Sequence, residues 1–258
     1  MEVVIDKGPE ECGVIVADIV TSAVSHGART LGLATGSSPL PAYRELARRC
    51  RSGLSFGDVS AFLLDEYVGL PRDHPQSYRH FIRAELVDHI DLHPGRVHGP
   101  DGMADDIFRA AAEYDRLLAA QGPIDVQILG IGSNGHIGFN EPSSSLASRT
   151  RVKTLTEQTR RDNARYFDRL EDVPQHVITQ GLGTISEARH LVLVASGTNK
   201  APAIAAAVEG PLTASCPASV LQLHPHATVV VDEAAAAELE LLDFYRYVLA
   251  HKPARQPY

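Results

Sequence analysis

The chain has 258 residues, of which 44% are hydrophobic and 22% are charged, a composition typical of a folded globular protein and not of a disordered one. Its formal net charge of −8 argues against nucleic acid or an anionic membrane as the main partner, so an anionic ligand has to be met by local cations. Three widely spaced cysteines predict neither a disulfide framework nor a cysteine metal site, and they fit a reducing compartment.

Short apolar runs alternate with amphipathic segments along the chain. Pro9, followed by two acidic residues, opens a helix, because proline and carboxylates both suit the first helical turn. The pattern then predicts, in chain order, a strand at 31–34, a helix at 39–51, a strand at 61–64, helices at 77–89 and 104–120, a strand at 126–129, a helix at 156–168, a strand at 191–194, a helix at 198–208, a strand at 228–231 and a helix at 235–250 that includes the alanine run.

This alternation predicts an α/β fold with a doubly wound, mostly parallel sheet and helices on both faces, a Rossmann-like single domain over residues 1–258. In such sheets ligands lie beyond the carboxyl ends of the strands, so the loops that follow strands are candidate sites. No apolar run is long enough to span a membrane, and residues 1–6 lack the basic region of a secretion signal. We therefore expect a cytoplasmic protein.

The loop after the first of these strands reads Thr35-Gly36-Ser37-Ser38-Pro39. Small residues, hydroxyls and free backbone N–H groups before a helix are typical of a phosphate cradle. The same residues also fit an ordinary turn in which Ser38 caps the helix and Pro39 takes its first position. The two interpretations are compatible, and Gly36, Ser37 and Ser38 are candidate phosphate ligands.

An acidic pair, Asp65 and Glu66, follows the next predicted strand. Burial at a strand end raises the pKa of a carboxyl group, which makes the carboxylate a useful base near neutral pH. An acidic pair is equally typical of a solvated loop or a helix start. Asp65 is a candidate base on the first of these interpretations.

The glycine-rich segment 130–142 follows the strand at 126–129. Its Gly-x-Gly-x-x-Gly spacing matches the dinucleotide-binding pattern, but that pattern needs a helix at the third glycine, and no helical apolar period follows. We therefore expect no dinucleotide. A histidine in such a turn can be purely structural; here Asn134 and Glu141 flank His136, and a proton carrier with orienting groups indicates general acid–base catalysis.

Two basic residues stand downstream of this segment. Arg165 lies in the helical segment at 156–168, and Lys200 follows the strand at 191–194. Taken singly, each fits a solvated surface position. A phosphate ligand would give both of them a role.

Several motifs, in one order and without large gaps, resemble those of the glucosamine-6-phosphate deaminase family across essentially the whole chain. They are Leu33-x-Thr35-Gly36-x-Ser38-Pro39, Leu64-Asp65-Glu66-Tyr67-Val68-Gly69-Leu70, Gly132-x-x-Gly135-His136-Ile137-Gly138-Phe139-Asn140-Glu141-Pro142, Leu146-Ala147-Ser148-Arg149-Thr150-Arg151, Ala207-Val208-Glu209-Gly210 and Leu221-Gln222-Leu223-His224-Pro225.

The resemblance implies a reversible isomerisation and deamination, in which D-glucosamine 6-phosphate and water give D-fructose 6-phosphate and ammonia without a metal or an organic cofactor. It implies that His136, oriented by Glu141, opens the sugar ring. Asp65 is then the base that moves a proton from C2 to C1. The implied phosphate ligands are Gly36, Ser37, Ser38, Arg165 and Lys200.

The sequence departs from many relatives at Asn134, where they carry an aspartate. An amide cannot share a proton relay as a carboxylate can, although it can still hydrogen-bond and orient His136. We therefore expect Glu141 to carry more of the electrostatic stabilisation.

The resemblance also points to regulation and assembly. Allosteric relatives bind N-acetylglucosamine 6-phosphate at a subunit interface through residues that match Ser144, Ser145, Arg151 and Lys153, with Tyr245 or Tyr247 as the accompanying tyrosine. The same residues also fit an oligomer contact or a strand edge. A homo-oligomer and a lid over residues 156–172 are further expectations.

Two other functions compete with the deaminase. A 6-phosphogluconolactonase-like hydrolase uses a similar Gly-His loop, but lactone hydrolysis does not require the Asp65 enolisation base. A non-catalytic sugar-phosphate sensor would leave His136, Asp65 and Glu141 without a purpose.

Overall fold

The computed structural model describes residues 1–253 as a large parallel sheet, a small antiparallel sheet and connecting helices. The strands are β1 (Glu2–Asp6), β2 (Thr30–Leu33), β3 (Ser60–Leu63), β4 (Asp65–Tyr67), β5 (Val97–His98), β6 (Val126–Leu129), β7 (Arg151–Thr154), β8 (His176–Thr179), β9 (Leu191–Ala195) and β10 (Ala227–Asp232). The α-helices are α1 (Pro9–Ser25), α2 (Leu40–Arg51), α3 (Tyr78–Glu85), α4 (Ile107–Gln121), α5 (Glu157–Asn163), α6 (Leu182–Ile185), α7 (Ala201–Val208) and α8 (Leu242–Ala250). None of the helices in this part of the chain is both long and apolar enough to cross a membrane.

The large sheet has the order β1-β10-β9-β6-β2-β3-β5, and all its pairings are parallel. From β2 the chain moves outward to β3 and β5, then crosses back to β6 and continues in the opposite direction to β9 and β10. The direction of winding therefore reverses between β2 and β6. Because crossovers are right-handed, the connections on the two sides of this reversal lie on opposite faces, which confirms the predicted doubly wound sheet.

The central strands are buried on both faces, and this explains why their sequences are largely apolar. All residues of β6, β9 and β10 are buried, and α1 packs on β9 and β10 while contacting α2. Apolar burial at roughly 25 cal/mol per Å² makes these strands the main stabilising layer of the fold.

The small sheet has the order β4-β8-β7 and is antiparallel. Sequence patterns did not predict it, and the acidic pair assigned there to a loop lies inside β4. The chain passes from β3 into β4 through the single residue Leu64, whose carbonyl accepts a hydrogen bond from the backbone N–H of Gln180. In register, Asp65 stands opposite Thr179, which in turn stands opposite Arg151.

The prediction of a continuous helix over 235–250 was wrong at its first half. Residues 233–238 form turns, because the Asp232 carboxylate accepts the backbone N–H of Ala235 and holds the chain against the end of β10. Ala235 and Ala236 are fully buried. The helix α8 begins at Leu242, directly after Glu240 and Leu241, whose backbone N–H groups donate to the Glu209 carboxylate.

Smaller differences concern other helix ends. Pro39 takes the cap position of α2 and Leu40 its first helical position, with no side-chain cap, so Ser38 is not the cap residue. The segment predicted as a helix at 77–89 is α3 followed by a short 3-10 turn, and the segment at 156–168 is α5 followed by another.

Candidate active site

A cavity of about 680 Å³ opens at the carboxyl ends of β2, β3, β6 and β9. The reversal between β2 and β6 separates the loops that follow those two strands, which is where doubly wound sheets bind ligands. The sequence-predicted residues that line this cavity are Gly36, Ser37, Ser38, Asp65, His136, Arg165 and Lys200.

The glycine-rich loop folds back on itself immediately after β6. The backbone N–H of Gly132 donates to the His136 carbonyl at 2.9 Å, and that of Gly135 donates to the Gly132 carbonyl at 3.0 Å. A Cβ at Gly132 would lie 2.1 Å from the His136 ring, so only glycine lets the imidazole lie flat on the loop. No helix begins at Gly135, because residues 131–150 run as turns and irregular structure.

Asn134 bridges His136 and Glu141. Its amide nitrogen donates to Glu141 Oε2 at 2.7 Å, and its amide oxygen lies 2.7 Å from His136 Nδ1. The His136 Nδ1 and Glu141 Oε2 atoms are 3.7 Å apart, so the direct ion pair is weaker than the path through the amide. The three residues predicted as a group are therefore in contact.

This bridge fixes the tautomer of His136. A carboxylate offers no donor, so the Asn134 amide must direct its NH₂ group to Glu141 and its oxygen to the imidazole. The oxygen accepts only from a protonated Nδ1. The neutral imidazole therefore keeps its lone pair on Nε2, available to take a proton.

Burial affects the His136 imidazole directly. Its side chain is 22% exposed, and removal from water lowers the pKa of His136 below its ordinary value. The Glu141 charge acts in the opposite direction, and the nearby Lys200 adds to the lowering. The imidazole is thus neutral, and able to act as a base, over the physiological pH range.

Asp65 and Glu66 point in different directions, as neighbours in a strand must. The Glu66 carboxylate is used inside the protein, where it accepts the backbone N–H groups of Tyr78 and Arg79 and the hydroxyl of Ser77. These donors belong to the start of α3, so Glu66 stabilises that helix end. Asp65 points into the cavity instead.

Asp65 has the environment of a base with raised proton affinity. It is 5% exposed, and burial, reinforced by the charge of Glu66, raises the pKa of Asp65 well above its usual 3.8. A Cβ built on Gly138 would come within 3.4 Å of Asp65 Oδ2, which shows how closely the loop of His136 approaches this carboxylate. The two halves of the predicted site therefore face the same space.

The candidate phosphate ligands lie on three separate loops. Gly36, with a φ of 93°, leads Ser37 and Ser38 along the cavity edge before α2. Lys200 follows β9, and Arg165 follows α5 in a 3-10 turn. Burial, followed by the Arg165 charge, lowers the pKa of Lys200 below its ordinary value. Two cations held this close favour an anion between them.

Several residues that line the cavity were not predicted from sequence. Thr159 of α5 donates its hydroxyl to Glu141 Oε1, and Asn163 donates to the Tyr67 hydroxyl at 2.9 Å. Tyr67 packs against Tyr78 with ring centroids 4.9 Å apart. The only signal in the sequence was the Thr-x-x-Thr spacing at the start of α5, which resembles an ordinary helix cap.

The candidate regulatory residues are not among those that line the cavity. Arg151 donates to Asn140 Oδ1 at 2.8 Å, and Asn140 in turn donates to the Ile137 carbonyl of the histidine loop. Ser144 is buried, and its hydroxyl has no hydrogen-bond partner within residues 1–253. Lys153 lies in β7, two residues after Arg151.

The two candidate regulatory tyrosines are placed differently on α8. Tyr245 packs on the core, and burial together with the Glu209 carboxylate raises the pKa of Tyr245 to about 12. Tyr247 is exposed and stacks on His251.

Comparison with known proteins places these features in a family. Residues 10–231 match the family model of glucosamine-6-phosphate isomerases/6-phosphogluconolactonase. The glucosamine-6-phosphate deaminases of Rhodococcus opacus and Streptomyces coelicolor are 66% and 56% identical, with 100% and 98% of this chain and the same shares of theirs covered.

Solved structures give the same result. A structure described as a monomeric glucosamine-6-phosphate deaminase is 42% identical, with a TM-score of 0.90 over 92% of this chain and 100% of that chain. The 6-phosphogluconolactonase from Trypanosoma brucei shares only the fold, at 20% identity and a TM-score of 0.76 over 92% of this chain and 98% of its own. The chain therefore belongs to the family of glucosamine-6-phosphate isomerases and 6-phosphogluconolactonases, on its deaminase side.

Proposed function

We propose that the protein converts D-glucosamine 6-phosphate and water to D-fructose 6-phosphate and ammonia, reversibly. One observation carries the proposal: a buried carboxylate, Asp65, lines the same cavity as His136, Arg165 and Lys200, and Asn134 connects His136 to the buried Glu141 carboxylate. The relatives at 56–66% identity bear the name of this activity.

Ring opening requires a proton to leave the anomeric hydroxyl and one to reach the ring oxygen. His136 Nε2 is the free base of the neutral imidazole, because Asn134 holds the proton on Nδ1. When His136 accepts the anomeric proton, its imidazole becomes a cation, and the nearby Glu141 carboxylate stabilises that charge. The imidazolium then returns the proton to the ring oxygen.

Isomerisation begins on the open-chain sugar. Asp65, acting as the carboxylate with its pKa raised by burial, takes the C2 proton. As O1 accepts a proton from the ammonium group on C2, an enolamine forms between C1 and C2. The same carboxyl group returns the proton to C1, which gives an imine at C2. Water adds to C2, and the C–N bond breaks to release ammonia and the ketose.

The phosphate lies far from the reacting carbons, so its binding energy serves to orient the sugar. Lys200 and Arg165 supply the charge, and the Gly36–Ser38 loop supplies backbone N–H groups at the start of α2. Because the ligand is a charged sugar phosphate, which membranes retain, we place the enzyme in the cytoplasm. Activation through Ser144, Arg151 and Lys153, a lid over residues 156–172 and assembly into a homo-oligomer stay predictions.

The decisive experiment follows ammonia and fructose 6-phosphate from glucosamine 6-phosphate with the purified protein and with Asp65→Asn. We expect product from the first only, and deuterium exchange at C2 to be lost in the variant. Absence of product with the unsubstituted protein overturns the proposal. Hydrolysis of 6-phosphogluconolactone in its place would support the rival hydrolase.

A further inference from the structure

The Glu141 carboxylate receives hydrogen bonds from two separate parts of the chain. Asn134 donates to Oε2 from the histidine loop, and Thr159 donates to Oε1 from α5. The hydroxyl of Thr156, the cap residue of α5, lies further from Oε1, at 3.5 Å. Glu141 is 4% exposed and Thr159 is 5% exposed, so bulk solvent has little access to this charge. Protein donors have to replace it, and each one also fixes the direction of the carboxylate.

The Thr159 hydroxyl is itself held in one orientation. Thr156 caps α5, accepting the Thr159 backbone N–H at 3.1 Å, and its hydroxyl lies 3.0 Å from the Thr159 hydroxyl oxygen. A hydroxyl has one proton to give. With Thr156 donating to Thr159, the proton of Thr159 is left for Glu141, and the chain of hydrogen bonds polarises each member.

From these contacts we infer that Thr159 is a positioning residue for the proton relay. Its hydroxyl holds the Glu141 carboxylate against the Asn134 amide, and the amide in turn holds His136 with Nε2 free. Without the hydroxyl, Oε1 keeps only the more distant Thr156 hydroxyl, so the Glu141 carboxylate is held less firmly and Asn134 is oriented less firmly with it. This inference rests on the proposed function, since it assigns the relay a role in ring opening.

The position of Thr159 along the chain adds a second element to the inference. The same segment reaches the phosphate end of the cavity through Arg165, which follows α5 directly. A phosphate that binds Arg165 therefore also restrains the helix that carries Thr159. Part of the phosphate binding energy is then used to hold the relay in its productive geometry.

The test compares Thr159→Val, which removes the hydroxyl at constant shape, with Thr159→Ser, which keeps it. The matched control is Thr154→Val, at an exposed position in β7. A hydrogen bond to a charged group corresponds to about tenfold or more in rate, so we expect Thr159→Val to lower kcat by at least that factor with a smaller change in KM. Thr159→Ser should recover most of kcat, and Thr154→Val should match the unsubstituted protein.

A spectroscopic measurement separates positioning from loss of folded protein. The imidazole nitrogen chemical shifts of His136, assigned with His136→Gln, should report the Nδ1–H tautomer in the unsubstituted protein and a mixture in Thr159→Val. This readout does not need turnover, so it stands even if the proposed activity fails. An unchanged tautomer in Thr159→Val, a kcat equal to that of the unsubstituted protein, or no recovery with serine would each overturn the inference.

Discussion

Asp65 and Glu66 carry the same charge on adjacent residues and serve different purposes. The Glu66 carboxylate accepts hydrogen bonds from the start of α3, so its role is structural. Asp65 is buried beside the cavity, and burial raises its pKa. The sequence predicted that one carboxylate of the pair is a buried base. The contacts of Glu66 were not predictable, because they depend on Ser77, which lies eleven residues further on.

The raised pKa of Asp65 makes this carboxyl a source of instability at neutral pH. A carboxyl whose folded-state pKa lies above its unfolded value of 3.8 contributes stability that is fully present below that pH and is lost as the pH rises through the folded-state pKa. Asp65→Asn carries no charge, so we expect it to be more stable than the unsubstituted protein at neutral pH. Urea unfolding across the acid to neutral range checks this, and a variant of equal or lower stability at neutral pH contradicts it.

At the scale of single elements, the loops that bring charge to the cavity are short and anchored at both ends. Gly197, just before Lys200, donates its N–H to both carboxylate oxygens of Asp232, at 3.0 and 3.1 Å. The position of the loop that carries Lys200 is therefore fixed by the end of β10 as well as by β9. The sequence identified Lys200 by family resemblance, and a basic residue near a strand end would not have been distinctive without it.

Removing the Lys200 charge should weaken substrate binding more than turnover. We expect Lys200→Gln to raise KM for the sugar phosphate about tenfold or more, because charge-assisted hydrogen bonds to phosphate are among the strongest. In the unsubstituted protein KM should rise as the pH climbs through the lowered pKa of Lys200, at a lower pH than that at which an exposed lysine loses its proton. Steady-state kinetics across alkaline pH test both points. The control is Lys7→Gln, at an exposed lysine directly after the edge strand β1. A pH-independent KM would count against the assignment.

The strands of the small sheet, which sequence patterns missed, lack a continuous apolar run. The strand β4 has three residues, two of them acidic, and β7 is polar and only partly buried, whereas β6, which has four residues like β7 and β8, is apolar enough to be predicted. The strands of the large sheet were predicted almost to the residue where they are fully buried apolar runs, as in β6, β9 and β10. The alanine run before α8 misled the prediction, because high helix propensity gave way to the turn fixed by Asp232.

At the scale of the whole molecule, the two ends of the large sheet carry different features: the candidate active site at one end and a structural carboxylate at the other. The cavity lies at the carboxyl ends of the strands, and Asp125 lies at the opposite end, before β6. One oxygen of Asp125 accepts the backbone N–H groups of Arg29 and Thr30 and the Thr30 hydroxyl, and the other pairs with Arg189. This carboxylate joins the amino-terminal ends of three neighbouring strands.

Asp125→Ala should therefore lower stability without lowering activity. We expect a loss of about 2 kcal/mol in the free energy of unfolding, because the backbone N–H groups of Arg29 and Thr30 lose a charged acceptor. We expect kcat/KM of the folded variant to stay at the unsubstituted value. Denaturant unfolding and steady-state kinetics on the same sample provide the test, and a parallel fall in kcat/KM would show that the two ends are coupled.

The one-residue connection between β3 and β4 limits which changes in chain length the protein tolerates. Side chains in a strand alternate between faces, so one inserted residue at Leu64 would turn every side chain of β4 to the other face. Glu66 would then point into the cavity and Asp65 towards α3. Each face would still have a carboxylate, but it would start from a different residue position along β4. Insertions and deletions that preserve activity are therefore expected in the exposed turn at residues 121–123, and not at this junction.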